Sequence, residues 1–306
     1  MKQSKSISPI SIGFAFAIAS AALFAIRPIF VKLIYAQGVD STTLIGFRML
    51  FSLPIYAIML VFLLRDPEKR SRLTVNNVLA ASGVGLFGYY MASYLDLLGL
   101  KYVTAQLGRM MLYTYPTFVV ILGALFFSKR ITTRTIAALG ITYIGVAVIF
   151  GHDLNEFGPE VITGSLFILG SALSFSLYLL FGKPLIEEMG SRVFTCIALI
   201  TASIAILIHY SVTRSILDPQ VNSIALGWIL VIAIFCTVIP TFFTTSAVAR
   251  IGADRTGIVA MVGPAFTSSF AVTILGERFT VYHSLGIALI VLGVWVLRGR
   301  RVKDLD

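Results

Sequence analysis

Long apolar runs separated by short polar stretches make up most of the chain between residues 12 and 298. A bilayer core of about 30 Å is crossed by about 20 apolar residues of α-helix. Ten runs of roughly that length occur, at residues 12-36, 42-64, 75-97, 102-127, 133-150, 162-187, 193-213, 224-249, 254-276 and 281-298. The pattern therefore predicts an all-α polytopic membrane protein with ten transmembrane helices.

The lysines and arginines between these runs are distributed unevenly. If the N-terminus is cytoplasmic, the outside turns contain only Lys32, Lys101, Arg214 and Arg278, and most other basic residues lie in inside segments. Loops on the cytoplasmic side of membrane proteins are enriched in Lys and Arg. We therefore expect both termini to be cytoplasmic, in a multi-pass protein of the bacterial inner membrane.

The composition fits a membrane protein, with 58% hydrophobic and only 12% charged residues. Soluble domains contain roughly 25% charged residues. The net charge of +10 would suggest nucleic acid in a soluble protein, but here the basic residues form short clusters between apolar runs. We expect no nucleic-acid partner. Cys196 and Cys236 stand alone in apolar segments, so we also expect no metal site and no cofactor.

The two halves of the sequence resemble each other. A shift of 148 residues places "YPTFVVILGALFFSKRITTRTIAALGITYIGVAVIF" (115-150) on "GPAFTSSFAVTILGERFTVYHSLGIALIVLGVWVLR" (263-298), which pairs Pro116 with Pro264 and Thr132 with Thr280. One insertion changes the shift to 151 for the opening helices, which pairs Ser20 with Ser171. Each half is thus predicted to be one five-helix unit, at residues 11-150 and 161-298, within a single transport domain.

Because five is an odd number, the second unit must cross the membrane upside down relative to the first. Inverted repeats are an architecture of secondary transporters, whose substrate binds near the midplane where the repeats meet. The sequence therefore predicts two inverted five-helix repeats around a central substrate site.

Three motifs carry a family resemblance: "GVDSTTLIGFRMLF" (38-51), "LGLKYVTAQL" (98-107) and "LGERFTVYHSLGIALIVLGV" (275-294). With these motifs the chain resembles the EamA family of the drug/metabolite transporter superfamily over nearly its whole length. The resemblance implies a metabolite or drug carrier whose central cavity is walled by helices 1, 3, 4, 6, 8 and 9. Phe24 departs from the family pattern, in which relatives often carry a tryptophan.

Polar side chains recur at helical spacing inside several apolar runs. Gln106, Arg109 and Tyr113 follow one another at steps of three and four, and Tyr89 and Ser93 are four residues apart. Polar faces are costly against lipid, so we expect them to face a cavity. The alternative is close packing between helices, in which small polar residues take part.

Three arginines lie inside the predicted helices, all in the outer half of the membrane: Arg27, Arg48 and Arg109. Their shared depth favours one electropositive site. The alternatives are snorkelling to the interface, a pair with Asp96, or a packing role for Arg48. The predicted substrate-binding residues are Arg27, Arg109, Gln106, Tyr113, Tyr89, Ser93, Tyr178, Thr241 and Arg48.

Four prolines, Pro28, Pro116, Pro240 and Pro264, interrupt predicted helices. Each removes a backbone donor and leaves the carbonyl four residues earlier without its helical partner. We expect kinks at these positions and predict that they act as hinges or gates; a static bend is the alternative.

Together these features predict a secondary transporter of a small organic metabolite, such as an amino acid, a carboxylate or another anionic or zwitterionic solute. It would work as an exporter or exchanger by alternating access in the lipid bilayer. The alternatives are a channel or a structural membrane subunit; an enzyme is not expected, because no catalytic motif is present and no catalytic residue is predicted. Small residues on the fifth and tenth helices, among them Gly145 and Gly286, indicate a scaffold or a homodimer face.

Overall fold

The computed structural model describes residues 9–128, 131–214 and 221–298, and every regular element in these ranges is helical. The ends of the chain, which we predict to be cytoplasmic, lie outside the described residues. Eight helices are long and apolar enough to cross a membrane: α1 (Ile10–Tyr35), α2 (Ser41–Leu63), α3 (Val75–Gly99), α4 (Ala105–Phe127), α5 (Thr133–Phe157), α6 (Glu160–Met189), α7 (Ser191–Thr213) and α8 (Ser223–Gly252). The protein is therefore a multi-pass integral membrane protein.

Two shorter apolar helices follow, α9 (Gly263–Leu275) and α10 (Val281–Val296). The ninth predicted run is divided between two helices. Its first part lies beyond a kink at Gly252 (φ 82°) in the helical segment Ile239–Ala260, and its second part forms α9, which begins at Gly263. The eight long helices coincide with predicted transmembrane runs, whereas α9 and α10 are shorter than the length expected for a crossing.

Several helices begin at polar side chains that cap their first turn. Asp40 precedes α2 and accepts hydrogen bonds from the backbone nitrogens of Thr42 and Thr43. Thr104 caps α4 through the backbone nitrogen of Leu107, and Thr132 caps α5 in the same way. These caps satisfy backbone donors that have no partner within the helix. The chain can therefore turn tightly between helices at the edge of the apolar layer.

The four prolines at which we predict kinks lie at or next to interruptions of the α-helices. A new helical segment starts at Arg27 with Pro28 in its first turn, α4 is broken just before Pro116, and α9 begins at Gly263 with Pro264 in its first turn. Pro240 directly follows a π-helical turn, Ile234–Val238. A proline fits the first turn of a helix, where its missing N–H costs nothing, and it ends the helix before it. The four prolines thus coincide with changes in helical structure, and a hinge role stays a prediction.

Irregular features recur at equivalent positions of the two halves of the chain. Two π-helical turns begin at Leu86 in α3 and at Ile234 in α8, 148 residues apart, which is the shift of the longer stretch of the sequence repeat. A third, Ala271–Leu275 in α9, has no counterpart in the α-helical second part of α4, Tyr115–Phe127. The helix after each proline break ends at a residue in the left-handed region, at Ser128 (φ 50°) and Gly276 (φ 68°), and these two residues are also repeat partners. The π-helical turns of α3 and α8 and the breaks at Pro116 and Pro264 thus follow the register of the sequence repeat, whereas the break at Pro28 falls opposite Leu179, inside the continuous helix Glu160–Met189.

The first helix of each half packs into the other half. Ser20 on α1 donates to the carbonyl oxygen of Pro240 on α8 (2.9 Å), and Ser171 on α6 donates to the carbonyl oxygen of Ala92 on α3 (2.7 Å). The two serines are partners in the sequence repeat, and so are the two residues that accept from them. This exchange joins the halves into one bundle.

Helices α5 and α10 pack closely against each other at glycines. A Cβ atom placed on Gly145 would stand 2.8 Å from the carbonyl oxygen of Gly286 and 2.9 Å from the Cβ atom of Leu289. The two backbones could not approach this closely with larger residues, as in other membrane helix pairs with small residues at the interface. The contact fits the scaffold role predicted for these helices.

Replacing Gly145 with alanine is expected to lower stability by about 1–2 kcal/mol, because the added methyl group forces α5 and α10 apart. Thermal unfolding in detergent measures the effect. The matched control is Gly140→Ala on the same helix, where a Cβ atom meets no neighbour within 4 Å and where alanine favours the helix. Equal unfolding temperatures for the two variants would contradict the prediction.

Candidate functional site

A cavity of about 480 Å³ lies between helices of both halves. Its size is in the range of small-molecule sites, roughly 300–1,000 Å³, and its wall is largely apolar with a few polar groups, as is usual for such sites. Seven of the nine predicted binding residues line the cavity: Arg27, Arg48, Tyr89, Ser93, Arg109, Tyr113 and Thr241.

The cavity wall includes more helices than the sequence suggested. Helices α1, α3, α4, α6 and α8 contribute as expected, together with the segment around Thr256 to Met261 that leads into α9. In addition, Tyr56 on α2, Leu199 on α7 and Val294 on α10 line it. The site is therefore enclosed by nearly the whole bundle.

Arg27 and Asp96 form an ion pair at the wall of the cavity. Arg27 follows directly on the break in α1, and Asp96 lies in the last part of α3. Both side chains are largely buried, at 17% and 6% exposure. The sequence left a pair with Asp96 as one alternative for the arginines, and for Arg27 it is confirmed. As ions, the two residues together contribute no net charge to the cavity.

Arg48 and Arg109 line the same cavity without a carboxylate partner. No Asp or Glu oxygen lies within 4 Å of either guanidinium among the described residues, and the Nε atom of each has no hydrogen-bond partner. Arg48 is only 2% exposed, and the Arg109 guanidinium stands 5.4 Å from the ring centroid of Tyr113. The cavity wall therefore carries two arginines that form no ion pair with a described acidic residue.

A tyrosine connects the two broken helices at the cavity. The hydroxyl of Tyr113 on α4 donates to the carbonyl oxygen of Ala260, at 2.7 Å. Ala260 lies four residues before Pro264, which lacks the N–H that would otherwise bond this carbonyl in a continuous helix. The break before Pro264 thus supplies an acceptor through which the helical segment ending at Ala260 is bonded to α4 beside Arg109.

The cavity reaches toward the side of the bundle where α1 begins and α10 ends, which we call the terminal side. Ala17 near the start of α1 and Val294 near the end of α10 both line it. On the opposite side the bundle is packed: the Tyr35 hydroxyl donates to the carbonyl oxygen of Leu97 (2.6 Å). Nearby, the rings of Phe30 and Trp228 stack with centroids 5.2 Å apart. The side opposite the terminal side is therefore closed in this conformation.

Gln106 does not line the cavity, in contrast to the prediction. It lies in the first turn of α4, and its Nε2 atom donates to Glu277 (3.2 Å) and to the carbonyl oxygen of Arg278 (3.2 Å). Glu277 also accepts from the backbone nitrogen of Ala105 (2.7 Å), so it caps α4. Arg278 pairs with Glu156 at 3.0 Å.

Tyr178 lies behind the cavity wall. Its hydroxyl is 3.1 Å from that of Tyr89, which does line the cavity. Its ring is packed among Phe175 and Phe194, and only 7% of the residue is exposed. Tyr178 was predicted to contact the substrate, but it lies behind the wall and supports Tyr89.

Tyr56 is a cavity residue that the sequence analysis missed. It lies eight residues after Arg48 on α2, two turns along the same face of the helix, with Ser52 between them. This spacing of four is present in the sequence. Tyr56 lies in a long apolar run, however, and the family resemblance implies a cavity walled by other helices. The Tyr56 hydroxyl lies 3.5 Å from the carbonyl oxygen of Thr237 on α8.

A family comparison identifies what kind of bundle this is. The model of the EamA-like transporter family matches residues 11–151 and again residues 162–299. The chain belongs to the EamA-like transporter family. The protein is therefore a membrane transporter of that family, with one family match in each half of the chain.

Similar proteins share its length as well as its family. An uncharacterized transporter of Bacillus subtilis, YcbK, is 25% identical over 99% of this chain and 97% of its own length. An uncharacterized transporter of Vibrio cholerae is 25% identical over 91% of this chain and 89% of its own length. A solved crystal structure matches with a TM-score of 0.63 over 95% of this chain and 98% of that one, at 18% identity, which supports the fold.

Proposed function

We propose that this transporter is a secondary carrier of a small anionic or zwitterionic metabolite, such as an amino acid or a carboxylate. It works by alternating access as an exporter or exchanger. The observation that carries the proposal is the presence of two guanidiniums without carboxylate partners among the described residues, those of Arg48 and Arg109, in one metabolite-sized cavity.

The charges of the cavity favour an anionic group on the substrate. Burying a charge without a partner is costly, and the Arg27–Asp96 pair leaves Arg48 and Arg109 to be compensated. A carboxylate or phosphate can accept two parallel hydrogen bonds from one guanidinium. The tyrosines and the apolar wall around these arginines would hold the remainder of a small organic molecule.

We further propose ten membrane crossings arranged as two inverted five-helix repeats, in the bacterial inner membrane with both termini in the cytoplasm. The recurrence of the π-helical turns and proline breaks at equivalent positions of the two halves supports the repeat. So do the equivalent hydrogen bonds of Ser20 and Ser171, which exchange the first helices between the halves. The orientation rests on the distribution of basic residues between the loops.

With this orientation, the conformation has its outside face closed and its cavity extended toward the cytoplasm. Alternating access then requires the packed side around Phe30 and Trp228 to separate. The breaks before Pro116 in α4 and Pro264 in α9 are suitable hinges, because each divides a helix beside the substrate cavity. Pro28 lies at the break of α1, and Pro240 lies just after the π-helical turn of α8.

Helices α5 and α10 are proposed as the scaffold on which the other helices move. Glycines of α5 and α10 contact each other within the same chain, which supports this role. Exposed apolar residues on the same helices, such as Ile144 and Trp295, face away from the bundle and are available to lipid or, in a homodimer, to a second copy.

Counterflow in liposomes tests the proposal. Purified protein is reconstituted into liposomes loaded with an unlabelled amino acid or dicarboxylate, and uptake of the same labelled compound is measured. We expect preloading to accelerate uptake of at least one anionic or zwitterionic compound, because a carrier returns faster when loaded. A channel would give no such acceleration, and acceleration only by cationic or neutral compounds would contradict the proposed substrate class.

A further inference from the structure

A second, smaller cavity of about 130 Å³ lies at the end of the bundle opposite the terminal side, separate from the substrate cavity. Asp153, near the end of α5, and His283, in the first turn of α10, both line it. The Nε2 atom of His283 stands 3.6 Å from the Oδ1 atom of Asp153. These two titratable residues thus face each other between two helices that the sequence marked only as scaffold.

Both side chains are buried, and the two facing atoms have no hydrogen-bond partner. Asp153 is 0% and His283 is 2% exposed, and Oδ1 of the first and Nε2 of the second have no hydrogen bond in the described structure. Native proteins seldom leave buried polar atoms unpaired. A separation of 3.6 Å is slightly longer than a hydrogen bond, so a small inward movement would allow a shared proton between them.

The surroundings of the pair determine where its protons reside. The backbone nitrogen of Thr280 donates to Nδ1 of His283 (3.3 Å), so the proton of the neutral ring lies on Nε2 and points at Asp153. The other carboxylate oxygen, Oδ2 of Asp153, accepts from the hydroxyl of Thr104 (2.7 Å). No lysine or arginine among the described residues pairs with Asp153, which leaves its charge to be compensated by a proton.

Other titratable groups face the pair and would influence its protonation. His152 lies on α5, and its ring centroid is 5.4 Å from that of His283. Glu156 on α5 and Glu277 and Arg278 before α10 line the same small cavity, and Glu156 is neutralised by Arg278. From α4 the cavity receives Gln106, whose Nε2 atom is hydrogen-bonded to Glu277.

The pair is connected to the helix that carries Arg109. Thr104, which donates to Asp153, is also the N-terminal cap of α4, where it accepts from the backbone nitrogen of Leu107 at 3.0 Å. Glu277 holds the next two residues of α4 through their backbone nitrogens. A change in the protonation of Asp153 would alter its bond to Thr104 and so the attachment of α4.

The repeat shows that this pair is present at one end of the molecule only. Thr280 and His283 correspond to Thr132 and Thr135 in the sequence repeat, and both couples make the same side-chain contact, at 2.9 Å and 3.0 Å. His283 thus stands where the other half has a neutral threonine. Thr104 corresponds to Gly252, which has no hydroxyl to donate.

We propose that Asp153 and His283 form a proton-binding site, distinct from the substrate cavity, that couples proton uptake to the release of α4 at the closed side of the carrier. Proton binding itself does not depend on the proposed substrate; its coupling to transport rests on the proposed alternating access. The proton is the favoured ligand over a metal ion because Nε2 of His283 faces the carboxylate, and because the described residues form no group of three or more His, Cys, Asp or Glu side chains that could hold a metal ion.

Infrared difference spectroscopy on the full chain in lipid bilayers tests the proposal without a substrate. Spectra are compared between about pH 5 and about pH 8, where histidines and shifted carboxyl groups titrate. We expect a carbonyl band of a protonated carboxylic acid that disappears in Asp153→Asn. In His283→Leu the titration midpoint of this band should move to higher pH by about one unit, because the carboxylate loses a facing donor.

The control variant is Asp66→Asn in the loop between α2 and α3. Asp66 is partly exposed, and a hydrogen bond from Lys69 holds its pKa below the usual range, so it stays ionised and its loss should leave the band unchanged. An unaltered band in Asp153→Asn, or a midpoint unmoved in His283→Leu, would overturn the proposal, as would a band that responds to sodium at constant pH. If Asp153→Asn does not fold, the His283→Leu midpoint decides alone. Counterflow by the wild type shows independently whether the carrier proposal holds.

Discussion

Replacing Asp96 with alanine is expected to destabilise the protein by about 3–5 kcal/mol, because the change leaves the buried guanidinium of Arg27 without its partner. Arg27 already shares its cavity with Arg48 and Arg109, so a third uncompensated charge would be added to two others. The unfolding temperature in detergent should fall far more for this variant than for Ser93→Ala, which changes a polar residue on the same helix and the same cavity wall.

The double variant Arg27→Ala/Asp96→Ala separates charge from packing. Because both charges are removed together, we expect it to be more stable than Asp96→Ala alone by at least about 1 kcal/mol. If the double variant were as unstable as the single one or worse, Asp96 would act through packing of α3 and the ion pair would not be the cause.

The sequence was sufficient for the features that depend on local pattern. Hydropathy identified the eight long helices, since the length of an apolar run is itself the signal for a membrane crossing. The proline breaks followed from the missing N–H, and Arg27, Arg48 and Arg109 were found because an arginine inside an apolar run is rare. The pairing of Arg27 with Asp96 was one of several alternatives, and only the packing of α1 on α3 decided it.

Features that depend on contacts between distant segments could not be predicted. Gln106 belongs to a polar face with Arg109 and Tyr113, yet α4 begins at Ala105 and its first turn is held by Glu277, which is 171 residues away from Gln106 in the chain. The sequence pattern shows which residues share a face of a helix, but it does not show which of them lie beside the cavity and which lie at the end of the helix. The pairing of Asp153 with His283 could not be predicted for the same reason, because the two residues are far apart in the chain and only the packing of α5 on α10 brings them together.

Arg48 offers the largest functional effect that we predict. Arg48→Leu should reduce transport of an anionic substrate by about 100-fold, because a substrate carboxylate bonded to this buried guanidinium would lose its partner. The same change should leave the unfolding temperature unchanged or raise it, because it removes a buried charge that has no carboxylate partner among the described residues. Counterflow rates and thermal unfolding, measured on one preparation, test the two statements together.

Reduced transport without reduced stability would distinguish a substrate-binding role of Arg48 from a packing role, two alternatives that the sequence left open. A packing role predicts that Arg48→Leu lowers stability and affects transport only through the amount of folded protein. Arg48→Lys completes the comparison: it keeps the positive charge but loses the planar fork, so transport should be intermediate, because an ammonium group binds a carboxylate as a point charge. If Arg48→Leu were destabilised while the folded fraction transported normally, Arg48 would be a structural residue of α2, and Arg109 would remain as the arginine of the site that has no carboxylate partner among the described residues.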